Sequence, residues 1–307
     1  MARYSIGVIG AGRVGAVLAA ALRAAGHQVV AVAARSAASR TRVETLLPGT
    51  VVATPREVAR CCELLLLSVT DDELAGVVDE LVASGSIRSG QIVVHTSGRH
   101  GTSVLAPAAA RGAAVLAMHP AMTFTGTDID LARLSGCVFG LTGDESVCVI
   151  AEQLVADLGG EVAWVSEHQR TLYHAALAHG ANHLVTLVTQ AMDLLRAAGV
   201  PDPAATLRPL LTAALDNALN YGDAALTGPV VRGDRSTVAA HLDALEDAAV
   251  TTLDSYLTMA RAAAEHAVDD GRLDPRRARE IVELLDQAVW DATAAAMTRF
   301  PADRGGR

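Results

Sequence analysis

Ser5–Gly10 reads SIGVIG, a short apolar run that ends on glycine. It leads into Gly10-Ala11-Gly12-Arg13-Val14-Gly15, and a helical apolar pattern then runs from Arg13 to Ala25 and stops at Gly26. Three glycines at this spacing, between a buried strand and a helix, constrain the chain more than any other feature. The first permits a tight turn. The second lets backbone approach an anionic ligand at the helix N-terminus, and the third lets the helix pack closely on the strand. A second strand, Gln28–Ala34, follows. Strand, glycine turn, helix and strand in this order predict a dinucleotide cradle formed by Gly10, Ala11, Gly12, Arg13, Val14 and Gly15.

The pattern continues. Val51–Val52, Glu63–Val69, Gln91–His95 and Ala114–Met118 read as further strands, with shorter ones near Val138–Leu141 and Glu161–Val165. Helical stretches intervene, among them Thr54–Cys62, with Thr54 as N-cap and Pro55 at N1, and Asp72–Ser84. Alternation of this kind predicts an α/β domain with a doubly wound parallel sheet over residues 1–165. The character changes at about Ser166. Glu167–Ala198 reads as one long helix, Pro203–Tyr221 as a second and Val238–Asp269 as a third, and a fourth opens at Asp274–Pro275. Residues 166–300 are therefore expected to form an all-helical domain for substrate binding and dimerisation, and 301–307 a disordered tail. A cleft between the domains is the expected site.

Which dinucleotide is bound should depend on the end of the second strand. An enzyme for NAD places Asp or Glu there to hold the ribose hydroxyls; this chain has Ala33-Ala34-Arg35-Ser36, then Arg40 and Arg42, with no carboxylate nearby in sequence. Arg35, Ser36 and Arg40 are expected to take the 2′-phosphate of NADP. Ser68, Val69 and Thr70 end the fourth strand, and Asp71 or Asp72 is expected to cap the next helix. Thr96 and Ser97, after His95, are placed to hydrogen-bond the nicotinamide ribose or a substrate. His119, preceding Pro120, is expected on a loop at the same edge, since the residue before proline avoids helix.

Composition removes other classes. All 25 Lys+Arg residues are arginine. A Schiff-base lysine, a Walker-type phosphate loop and a lysine general acid are thereby excluded. A net charge of −9 argues against a nucleic-acid partner. Four cysteines lack CxxC spacing, so reduced thiols in a cytoplasmic protein are expected and no metal site is. The chain enters a strand pattern by Tyr4 and has no long apolar run, so neither a signal peptide nor a membrane span is expected.

The glycine motif, Ser68–Asp72, His95–Gly98, His119-Pro120, Tyr173-His174-Ala175-Ala176 with Asn182, and Thr227-Gly228-Pro229 with Arg232-Gly233-Asp234 together resemble one family. It joins a Rossmann-like domain to a C-terminal DUF2520 domain, and the likeness covers nearly the whole chain. The family is similar in fold to 6-phosphogluconate and 3-hydroxyisobutyrate dehydrogenases, pyrroline-5-carboxylate reductase and ketopantoate reductase. The resemblance implies an NADP-dependent oxidoreductase. In the 3-hydroxyisobutyrate type, a lysine four residues before the helix asparagine serves as acid; the matching position here is Ala178.

Read from the residues themselves, His174, Ala178 and Asn182 recur at i, i+4 and i+8, roughly one helix face, with the outer two about 12 Å apart. His174 is the first candidate for proton donor, because an imidazole of pKa ~6.5 can protonate a nascent alkoxide. Tyr173 and His119 come next. Asn182 would orient the substrate, Arg232 would hold a carboxylate, and Asp234 is expected to cap a helix. The leading expectation is hydride transfer to a small 2-oxo acid such as ketopantoate. The alternatives are an imine reductase resembling pyrroline-5-carboxylate reductase, and an NADP-binding protein without catalysis. The Ala/Leu faces of the helices predict a homodimer through the helical domain.

Overall fold

The computed structural model describes residues 2–299 except residue 249; the expected tail lies outside them. The chain divides into two compact units, Met1–Gly180 and Ala181–Arg307.

The first unit is built on one eight-stranded sheet: β1 (Ser5–Ile9), β2 (Gln28–Ala33), β3 (Val51–Val52), β4 (Leu64–Leu67), β5 (Ile92–His95), β6 (Ala114–Pro120), β7 (Val138–Thr142) and β8 (Glu161–Trp164). Their order is β3-β2-β1-β4-β5-β6-β7-β8. The helices between them are α1 (Arg13–Ala24), α2 (Ala37–Leu46), α3 (Pro55–Arg60), α4 (Asp71–Ala83), α5 (Ala106–Ala109), α6 (Ile129–Arg133) and α7 (Cys148–Asp157), followed by α8 (Arg170–Leu177). This is the doubly wound α/β sheet that the strand–helix alternation predicts. Two strands depart from it. β7 pairs antiparallel with β6, and β8 runs parallel to β7, so the last two strands oppose the first six.

Strand alternation sorts the core. Ile6, Val8, Leu64, Leu66 and Val94 face one helical layer and pack with Val17 and Leu18 of α1 and Leu154 of α7. Ile9, Leu65, Leu67 and Val93 face the other, with Val58 of α3 and Leu74 and Val78 of α4. Side chains of period two on strands covered on both faces require the near-continuous apolar runs seen in the sequence.

His119 corrects the sequence reading. It lies in strand β6, opposite Gly140 of β7, not on a loop. The restriction imposed by Pro120 favours extended backbone as much as it disfavours helix, and the strand uses it. The next helix is also capped differently: Thr70 takes the N-cap position of α4, and Asp71, Asp72 and Glu73 fill its first turn.

The second unit is helical: α9 (His183–Ala197), α10 (Pro203–Tyr221), α11 (Arg235–Ala248), α12 (Val250–Asp269) and α13 (Pro275–Arg299). Val238, Leu242, Leu253, Leu257, Ile281 and Leu285 form its core. The single helix expected over Val238–Asp269 is two helices. His241 Nδ1 and the Tyr256 hydroxyl, fifteen positions apart, stand 2.9 Å from each other, whereas fifteen residues of straight helix would span about 22 Å. The long helix expected over Glu167–Ala198 is interrupted as well. A 3₁₀ turn precedes α8, and a π-helical turn, Ala178–Asn182, joins α8 to α9. Among the described residues no helix is long and apolar enough to cross a membrane, and no cluster of three or more His, Cys, Asp or Glu could hold a metal ion.

Candidate functional site

The parallel strands β1, β2, β4 and β5 end at one edge of the sheet, where the order turns from β1 to β4. Ligands of open α/β sheets bind at such a switch point. A cavity of about 450 Å³ lies there, lined by Gly10, Ala11, Gly12, Arg35, Ser36, Ser68, Val69, Thr70 and Glu73 among others. A second cavity of about 270 Å³ shares Gly12, Ser68, Val69 and Thr70 with it and continues to Arg13, Val14, Asp71, Thr96, Ser97, Gly98, His119 and His174.

The three glycines differ in what enforces them. Gly10 has φ +94°, and a Cβ there would stand 2.4 Å from the Ser68 carbonyl oxygen. A Cβ on Gly15 would stand 2.3 Å from the Gly10 carbonyl oxygen, so helix and strand leave no room for one. Gly12 is the exception: its φ is −75°, and a Cβ would meet no protein atom within 4 Å. Neither backbone nor packing demands glycine there. A flat approach over the N-terminus of α1 is what a side chain would spoil.

At the β2 end, Ser36 is the N-cap of α2; its hydroxyl accepts from the Ser39 amide and donates to the Ser39 hydroxyl. The Arg40 guanidinium reaches back to the carbonyls of Ala34 and Arg35 at 3.4 Å. Arg35 is exposed and donates to Glu73, a carboxylate that sequence proximity did not reveal. Hydrogen bonds from Arg35 and Thr70 hold the Glu73 carboxyl below the usual range.

At the other end the side chains converge. Gly98 makes room for two imidazoles, since a Cβ there would lie 2.6 Å from His174 Cδ2 and 3.0 Å from His119 Nε2. His119 Nδ1 stands 3.1 Å from the Tyr173 hydroxyl. The His119 and His174 rings meet edge to face, 5.9 Å between centroids. Thr96 donates to Ser68 across two strand ends. Behind them His95 is buried and bonds the Gly101 carbonyl at 2.8 Å. Burial pushes the His95 imidazole down to about 4. Burial, and then the neighbouring Arg170 cation, pushes His119 down to about 4 as well. Burial also raises the Tyr173 phenol.

Arg170 organises this end, and the sequence reading missed it. Its side chain is 1% exposed. The guanidinium donates to the carbonyls of Ser97, His100 and Gly140 and lies 5.5 Å from the Tyr173 ring centre. Glu167, one turn earlier, accepts from the amides of Thr102 and Ser103. Together they pin the segment that carries Gly98. No spacing signal could have exposed Arg170, because all three acceptors are backbone oxygens of distant strands and loops.

The remaining candidates belong to the second unit. Asn182 is exposed on the π-turn. That turn bonds i to i+5, so it interrupts the stripe expected from His174 through Ala178. Arg232 is exposed in the loop before α11, between buried Val230 and Val231 and the N-terminus of that helix. Asp234 accepts from the Thr237 amide and hydroxyl, as a cap does.

Residues 1–120 match the model of the Rossmann-like domain, and residues 137–263 match that of DUF2520, a domain of unknown function. The chain thus carries a Rossmann-like domain followed by a DUF2520 domain. Solved structures share its fold. One is an NADP oxidoreductase, so named provisionally, from Bacteroides fragilis: 22% identical, TM-score 0.74, covering 86% of this chain and 98% of that one. Another is an imine reductase from Myxococcus stipitatus in complex with NADP+, 19% identical, TM-score 0.66, covering 93% and 99%. A third is a reductive aminase from Aspergillus terreus in complex with NADPH4, cyclohexanone and allyl amine, 20% identical, TM-score 0.57, covering 94% and 95%. A search of curated proteins finds no match.

Proposed function

We propose that the chain is an NADP(H)-dependent reductase of small C=N or C=O compounds. The observation that carries the cofactor reading is Gly12, whose missing side chain nothing in the protein requires. Gly10, Ala11, Gly12 and the N-terminus of α1 would receive the pyrophosphate. Arg35 and Arg40 would take the 2′-phosphate, with Ser36 beside them. Ser68, Val69, Thr70, Thr96 and Ser97 would hold the nicotinamide half. When bound, the dihydronicotinamide would supply the hydride.

Residues 1–165 would serve the cofactor, and residues 166–300 substrate and dimer contacts. His174 would protonate a carbonyl oxygen, or the nitrogen of an imine that arrives unprotonated. His119 is neutral at pH 7; accepting the Tyr173 hydroxyl at Nδ1, it would offer Nε2–H toward Gly98, a tautomer assigned from that hydrogen bond. Asn182 would orient the substrate. We place the imine reading first. A substrate that arrives protonated asks least of a lysine-free site whose His119 is neutral, and the Asp71 carboxylate borders the same cavity. The solved structures named as imine reductase and reductive aminase agree with it. The 2-oxo acid reading, ketopantoate included, comes second; Arg13 in the cavity wall favours it, and Arg232 would hold the carboxylate. An NADP-binding protein without catalysis is the third.

NADPH consumption with a cyclic imine and with ketopantoate separates them. Turnover of the imine alone is expected, turnover of ketopantoate alone reverses the order, and binding without turnover of either leaves the third reading. His174→Ala should lower kcat about 100-fold; an unchanged rate removes His174 from the mechanism.

We also propose a cytoplasmic homodimer. All four cysteines are free thiols. α9 buries no side chain and α10 only Pro203, while Leu184, Val185, Leu187, Leu210, Leu215 and Leu219 are exposed. Sedimentation at micromolar concentration should give a dimer, and a monomer would end this proposal.

A further inference from the structure

Arg35, the residue best placed to choose between phosphorylated and unphosphorylated dinucleotides, is already paired. Glu73 stands on the first turn of α4, 38 positions away, and accepts from Arg35 Nη2. The Thr70 hydroxyl donates to the same carboxylate at 3.0 Å. Both Arg35 and Glu73 border the larger cavity, next to Ser36 and Thr70. The pair sits on the open side, with side chains 88% and 39% exposed.

This carboxylate is held in place from three directions. Thr70 fixes one oxygen. Arg35 takes the other. The N-terminus of α4 favours a negative charge in its first turn. The Thr70 side chain makes no hydrogen bond to the helix backbone as a cap, so its polar contact goes to Glu73 instead. Arg40 is the second cation at this end, and its guanidinium lies against the carbonyls of Ala34 and Arg35, without a carboxylate partner there among the described residues. A phosphate arriving at the end of β2 therefore meets a guanidinium that already has an anion, and a fixed carboxylate beside it.

We propose that Glu73 sets the phosphate preference of the groove by competing with the cofactor 2′-phosphate for Arg35. The proposal rests on the NADP(H) reading above. Binding of NADP+ requires Arg35 to exchange Glu73 for phosphate, whereas NAD+ leaves the pair intact. An exposed ion pair is worth a few-fold in an equilibrium, and repulsion between carboxylate and phosphate adds to it. Glu73 thus narrows the discrimination that Arg35 creates.

The test is titration calorimetry of NADP+ and NAD+ with the full chain and three variants. Glu73→Gln keeps the length of the side chain and an acceptor for Thr70, and removes the charge. It should tighten NADP+ binding roughly three- to tenfold, the scale of an exposed pair plus the lost repulsion, and leave NAD+ within about twofold. In an Arg35→Met background the same change should tighten NADP+ by less than half as much. Unchanged or weaker NADP+ binding in Glu73→Gln overturns the proposal. So does weaker NAD+ binding, which would make Glu73 a holder of ribose hydroxyls. If the unsubstituted protein binds neither dinucleotide, or only NAD+, the NADP(H) reading itself falls. If it binds NADP+ and Glu73→Gln does not alter that, this proposal alone falls.

Discussion

The two ends of the groove are built in opposite ways. The glycine end is continuous chain: Gly10 to Gly15 fold over the Ser68 carbonyl, and two of the three glycines are compelled by backbone atoms a few residues or one strand away. The histidine end is collected. His95, Gly98, His119, Arg170, Tyr173 and His174 come from three separate stretches, held by hydrogen bonds across as many as 73 positions. A backbone constraint leaves a spacing that can be read in the sequence. A side-chain cluster leaves only residue types, which are common elsewhere in the chain.

The glycines allow the sharpest attack on this contrast. Gly10→Ala places a Cβ in left-handed backbone and against a carbonyl oxygen, and should cost about 3 kcal/mol or more of folding stability in urea unfolding. Gly12→Ala should cost less than about 0.5 kcal/mol and yet weaken dinucleotide binding at least about tenfold, the equivalent of ~1.4 kcal/mol. Wild-type affinity in Gly12→Ala would break the cofactor reading of the turn.

The histidine end predicts a smaller effect, spread over pH. His95 and His119 sit at about 4 in the folded chain, against ~6.5 unfolded. The unfolded chain therefore takes up these protons first. The stability the two neutral imidazoles contribute is complete above about pH 6.5 and is lost as pH falls toward 4, with a slope approaching ~1.4 kcal/mol per pH unit for each. Urea midpoints at pH 7.5, 6 and 5 should show it. His119→Asn should remove about half of the slope, and an undiminished slope would detach His119 from the buried cluster. The exposed His266, raised by its bond to Asp223, acts in the opposite direction.

What could be read in advance follows the same division. Strands β1, β2 and β4 to β6 announced themselves as apolar runs, because burial on both faces leaves few polar positions. The reversal between α11 and α12 did not, since neither Gly nor Pro marks it. The π-turn at Ala178–Asn182 was hidden for a related reason: one additional residue per turn changes facing without changing composition. Glu73 is a further case. It stands in the first turn of α4, 38 positions from Arg35, and only the fold brings the two together.

Gly12 separates two properties that usually fail together. Replacing Gly10 or Gly15 damages the protein, so a chain that loses them is lost whether or not a ligand matters to it. Gly12 carries no such insurance: with nothing within 4 Å of a Cβ there, the Gly12→Ala chain should remain folded. A Gly12→Ala chain is therefore the natural companion reagent for any cellular study. A phenotype it rescues belongs to the folded protein, and one it fails to rescue belongs to the ligand.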